Sequence, residues 1–204
     1  MPRSTITNQG NGKAEICLYD EIDSFFGVGA KEFHRQLQAL GEVDEITVRI
    51  NSPGGSVWEG MAVLAMLNNH KAKIVTRVEG LAASMASVIA MAGDEIEMPA
   101  NAFMMIHNPA DFAAGDSAEM RKTAEVLDQV KSSLVNIYAA RTKRTPEEIA
   151  TWMDDETWMD GPTCLDRGFA TKVLPAVAIA ASLKANHFKK TPAGLLQPAP
   201  PPPP

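Results

Sequence analysis

The chain has 204 residues, 45% of them hydrophobic and 22% charged, the balance of a soluble globular protein with room for a substantial core. A net charge of −6 disfavours nucleic acid or an anionic membrane surface as a partner. Cys17 and Cys164 are too few for a disulfide scaffold and lack metal-ligand spacing, and they read as small buried hydrophobes in a reducing compartment.

Residues 1–13, rich in Asn, Gly, Ser and Thr, read as a flexible lead-in without the apolar core of a signal peptide. AEICLYDEI (14–22) is a candidate strand, and 29–40 follows with Phe33, Leu37 and Leu40 at helical spacing. EITVRI (45–50) alternates like a strand and is broken by NSPGGS, after which 56–70 sets Val57, Met61 and Leu64 on one helical face. KIVTRVEG (73–80) is another strand, 82–93 a helix closed by Gly93, and 95–99 and 102–107 are short strands. This alternation with short connections predicts an α/β domain with a largely parallel, buried sheet.

The pattern changes after His107. Asp116 stands three residues before Glu119, a capping-box spacing, and Met120, Ala124, Leu127, Leu134 and Tyr138 carry an apolar stripe to about residue 142. Thr145, Pro146 and Glu148 open a short helix, 161–168 reads as another closed by Gly168, and 169–174 as a last strand. In the extension 175–190, the apolar stretch that begins at Val173 is interrupted by Pro175 and falls short of the roughly 20 residues that cross a bilayer, so a cytoplasmic protein is expected. The Pro-rich stretch 191–204 is expected to be extended and disordered.

Three stretches bear on chemistry. In GLAASMAS (80–87), a strand ending at Gly80 and a following helix would put Ser84 near a helix N-terminus, where unpaired N–H groups favour a developing anion. Small-residue packing of a helix on a sheet explains the same stretch. NSPGG (51–55) offers backbone N–H groups at Gly54 and Gly55, as an oxyanion hole, a phosphate loop or a plain turn requires, but no Walker lysine follows. His107 ends a strand, the position where α/β domains place their sites, whereas His34 and His70 lie on or at the ends of surface helices and His187 near the tail.

Taken in order, NSPGG, GLAASM and MIHNP resemble the motifs of the Clp-type serine peptidases, the ClpP family, over roughly residues 14–174. The resemblance implies the ClpP/crotonase-like fold of stacked ββα units, with a handle helix at about 116–142. It implies Ser84 as nucleophile, His107 as general base and the N–H groups of Gly55 and Met85 as oxyanion hole, with Gly54, Ser56 and Asn108 around the substrate. The family's aspartate falls on Glu156, with Asp155 as second choice and Asp154 behind it. No metal or organic cofactor is implied. The family forms heptameric rings or double rings around a chamber, fed in some cases by an ATP-driven (AAA+) unfoldase. The short core and the Pro-rich tail look more like the phage and prophage branch, which matures capsid or scaffold proteins. Two other readings stand beside this one: a crotonase-like acyl-CoA enzyme, and a catalytically silent assembly ring.

Overall fold

Every second side chain of residues 45–52 is buried, Ile46, Val48 and Ile50 completely, and the same alternation recurs over 13–18. These two strands form the middle of one sheet in the computed structural model, which describes residues 4–24, 29–178, 188–192 and 195. In chain order the elements are β1 (Ser4–Gly10), β2 (Lys13–Leu18), α1 (Ala30–Ala39), β3 (Glu45–Ser52), α2 (Val57–Asn68), β4 (Lys73–Ala83) and α3 (Met85–Ala90). There follow β5 (Glu95–Pro99), β6 (Phe103–Ile106), α4 (Ser117–Thr142), α5 (Pro146–Asp154), β7 (Thr157–Asp160), α6 (Gly161–Arg167) and β8 (Lys172–Leu174).

The sheet runs β1-β2-β3-β4-β5-β8, parallel from β2 onward, and the architecture is the expected α/β one. β4 is long enough to serve two neighbours. Its first half pairs with β5 and its last residues with β6, which carries β7 antiparallel on its other edge.

One expectation is corrected on the sheet's faces. The alternation buries one face against α1, α2 and α3, while the other carries ion pairs running across the strands. Arg49 bridges Glu15 at 2.6 Å and Glu79 at 2.5 Å, and Glu97 takes Arg77 at 2.6 Å and Lys172 at 2.7 Å. A parallel sheet covered on both faces would read as continuous apolar runs.

The reading of the N-terminal stretch as a flexible lead-in is corrected for residues 4–13. Ser4–Gly10 forms β1, antiparallel to β2, through a turn in which Asn11 (φ 52°) and Gly12 (φ 72°) are both left-handed. That is the two-residue turn whose twist matches a hairpin, and Asn-Gly is its strongest signal. The helix expected over 116–142 forms, with Asp116 accepting from Ala118 and Glu119 N–H and the Glu119 carboxylate reciprocating. Only Leu134, Val135, Tyr138 and Thr142 along it are buried, so its first half projects from the domain. Among the described residues no helix is long and apolar enough to cross a membrane. Most of 191–204 lies outside the described residues, but Leu195 is 3% exposed, packed with Leu81, Ala83 and Met105. Part of this stretch therefore packs, because an apolar side chain in it finds an apolar pocket on the sheet.

Glu97 supplies a test of the ion pairs. It is 5% exposed, and burial alone would raise its pKa, but the bonds from Lys172 and Arg77 hold the carboxyl below the ordinary range. With the folded value below the unfolded one, the pairing stabilises fully above the ordinary carboxylate pKa and fades as pH falls through the lowered folded value. Glu97→Gln is expected to cost about 1–2 kcal/mol at pH 7, less than a wholly buried pair because both cations are partly solvated. Thermal melts at pH 7 and at about pH 3 should show the difference in Tm between parent and variant shrinking at the lower pH.

Candidate active site

The strand register converges on one end of the sheet. Ser52 pairs with Ala82, Ala83 with Met105, and Ile106 with Thr157. Ser84 follows the last residue of β4, His107 the last residue of β6, and Glu156 precedes the first of β7. Carried one step past its last pair, the antiparallel register sets Glu156 opposite His107. Ser84 and His107 meet directly, with Nε2 2.8 Å from Oγ.

Gly80 does not end its strand, contrary to the sequence reading. Between the pairs Ile50–Val78 and Ser52–Ala82 the partner strand holds two extra residues, a bulge around Gly80. Asn51 Oδ1 accepts the Leu81 N–H there at 3.1 Å. β4 then runs to Ala83 and passes into α3 with only Ser84 between, at φ 51° and ψ −126°. A non-glycine residue in that region is strained, and such strand-to-helix elbows present a nucleophile clear of the sheet. The elbow is held by Ser84 N–H to Met105 O at 2.9 Å, and by Ser87 N–H and Oγ–H to Ser84 O at 2.9 and 2.6 Å. Ser87 is thus a back-bonding serine, tied also to the buried Tyr138 of α4 at 2.8 Å. Ser84 Oγ makes no cap bond to its helix and engages His107 instead.

The glycine turn lies against this elbow. Gly54 has φ 95°, and a Cβ there would stand 2.6 Å from Ala83 O, 2.7 Å from Ser84 Cβ and 2.8 Å from Met85 N. Ile22 bridges Gly55 through Gly54 O and Ser56 N–H, so the N–H of the exposed Gly55 is turned away from that pairing. Met85 N–H, at the first turn of α3, has no intrahelical acceptor. Ser56 Oγ caps α2 by accepting from Glu59 N–H at 3.4 Å. Gly54→Ala is expected to cost about 2–3 kcal/mol, since clash and positive φ add. A fall in Tm together with loss of nucleophile reactivity would check it.

The three carboxylates separate by environment. Asp154 is exposed, accepting from Lys131 at 2.5 Å and from Asn108 Nδ2 at 2.8 Å, and these bonds hold its carboxyl below the ordinary range. The exposed Asp155 pairs with Lys190 at 3.6 Å. Glu156 is buried, at φ 50°, and accepts from Lys189 N–H at 2.9 Å, from Lys190 N–H, and from Trp158 Nε1 at 3.4 Å. The Phe188 ring, next along the chain from these donors, meets the His107 ring edge-on at 5.6 Å. Asn108 Oδ1, one residue from His107, is a buried acceptor without a donor among the described residues. The sequence reading missed β7, whose four residues are too few for periodicity to register, and it missed the approach of residues 188–190 to this site.

A family model described as Clp protease matches residues 3–176. Curated relatives include the ATP-dependent Clp protease proteolytic subunit of Leuconostoc citreum, 37% identical over 142 residues, 68% of this chain and 71% of the relative. The subunit of the same name from Bacteroides fragilis is 32% identical over 146 residues, 69% and 68% of the two chains. Subunit 1 from Shouchella clausii is 33% identical over 165 residues, 78% and 84%.

Proposed function

The chain belongs to the Clp protease family, and on that footing we propose that it is a serine endopeptidase with Ser84 as nucleophile, His107 as general base and Glu156 as the orienting acid. The observation that carries the reading is the 2.8 Å contact between His107 Nε2 and Ser84 Oγ at a strained strand–helix elbow. With its proton on Nδ1, the imidazole accepts the serine proton through Nε2 as Oγ attacks a peptide carbonyl. The carbon–oxygen π pair moves onto the oxygen, which the N–H groups of Gly55 and Met85 receive. Collapse expels the amine, protonated by the imidazolium, and water repeats the sequence on the acyl-enzyme. Glu156, in the turn before β7, supports the imidazolium. Gly54 and Ser56 flank the turn beside the nucleophile, and Asn108, held by Asp154, stands next to His107.

The substrate is an extended polypeptide, and the working form is a homo-oligomeric ring enclosing the sites. The projecting half of α4 supports this, as do the exposed Met120, Val126 and Trp58, an apolar set that a second copy would cover. The family resemblance offers two sources of substrate, capsid or scaffold protein in phage head maturation and chains delivered by an ATP-driven unfoldase. The names of the curated relatives favour the second. A fluorophosphonate probe, with the modified residue located by mass spectrometry, tests the chemistry: label on Ser84 is expected. Label confined to other residues, or none, supports the silent ring instead.

A further inference from the structure

Resting on that reading, we propose that residues 188–190 are a positioning element of the catalytic site, with Phe188 setting the His107 ring and the main chain of Lys189 and Lys190 holding the Glu156 carboxylate. One short segment touches both the imidazole and the buried carboxylate. Phe188 meets His107 at 5.6 Å with rings at 78°, and meets Trp158 at 5.7 Å with rings at 71°, so it joins β6's end to β7. Edge-to-face contacts of this kind fix ring planes as well as bury area. Glu156 Oε2 takes the Lys189 N–H, and Oε1 takes the Lys190 N–H and Trp158 Nε1–H. One more contact holds the segment down, the burial of Leu195 against Leu81, Ala83 and Met105, while the Lys190–Asp155 ion pair at 3.6 Å is solvated and adds little.

A glutamate has one more rotatable bond than an aspartate, so holding its carboxylate in one place costs more entropy unless something fixes it. Donors from two successive main-chain amides do so without side-chain freedom of their own. A carboxylate has about four acceptor sites, so three donors still leave one for an imidazole N–H. The Ser84–His107 bond stands with the segment docked, so docking does not separate the pair.

Proline at 190 deletes the amide donor, whereas alanine keeps it. The full-length chain and its Lys190→Pro, Lys190→Ala, Phe188→Ala and Phe188→Tyr variants would be compared for the rate of fluorophosphonate labelling at Ser84 across pH, with Tm as the check on folding. Lys190→Pro and Phe188→Ala are expected to label on the order of tenfold more slowly or worse, with a displaced midpoint of the pH–rate profile, as small misplacement in a catalytic set does. Lys190→Ala and Phe188→Tyr should stay near the parent on both measures. Parental rates and midpoints in Lys190→Pro and Phe188→Ala would overturn the positioning role, and so would faster labelling, which marks an obstructing segment. A parent chain that takes no label at Ser84 overturns the peptidase reading itself, a result distinct from either.

Discussion

Ser84→Ala is expected to abolish peptide hydrolysis and fluorophosphonate labelling, with kcat falling by on the order of 10³-fold or more and only the proposed oxyanion donors left to help. The fold should survive. Alanine at φ 51° keeps the same backbone strain, the lost hydroxyl makes no helix cap, and His107 is only half-buried, so water can replace the hydroxyl. Stability should therefore change by less than about 1 kcal/mol. Ser84→Gly separates the two properties further. Glycine adopts φ 51°, ψ −126° without a Cβ penalty, so this variant is expected to be equally inactive yet more stable, by up to about 1–2 kcal/mol. Melts of the three proteins beside a peptide-cleavage assay read both effects. An active Ser84→Ala protein sinks the nucleophile assignment. A Ser84→Gly protein less stable than the serine parent would remove the argument from strain.

The elements that sequence rendered well are those whose signal is local. Asp116 with Glu119 and Thr145 with Glu148 form the capping boxes their spacing promises, because a cap is satisfied within one turn of chain. The Ser84–His107 pairing is legible only in motif order, since no local property of GLAASMAS distinguishes an elbow from packing. Gly80 misled because a glycine can end a strand or bulge it, and only the partner strand decides: Asn51, thirty residues away in sequence, supplies the acceptor that lets β4 continue. The Asn11–Gly12 turn has a local signal of its own, but the surrounding Asn and Gly give it the composition of a flexible lead-in. Trp158 and Phe188 owe their places to long-range contacts with His107's strand, which no window along the chain contains.

Comparison of Glu156→Gln with Asp155→Asn decides the third member of the triad. Either change removes one negative charge, yet the surroundings predict opposite outcomes. Asp155 is 67% exposed, its ion pair with Lys190 is solvated, and such pairs contribute under about 1 kcal/mol. Asp155→Asn should therefore leave kcat within about twofold of the parent. Glu156 is 8% exposed and directly precedes Thr157, whose partner Ile106 directly precedes His107. A neutral amide there neither supports the imidazolium nor selects the tautomer with the Nδ1 proton, a loss that reaches ~10⁴-fold in kcat where an acid of this kind is replaced by its amide. The amide also brings an NH₂ group to a site already filled with donors, from Lys189, Lys190 and Trp158. One donor must then face another, so Glu156→Gln should lose about 1–3 kcal/mol of stability besides its activity. Glu156→Asp keeps the charge but withdraws it by one methylene from the two amides, so it should recover part of the activity at best. If Asp155→Asn is the variant that loses activity while Glu156→Gln keeps it, the orienting acid is Asp155. Residues 188–190 would then brace a carboxylate that has no part in the reaction.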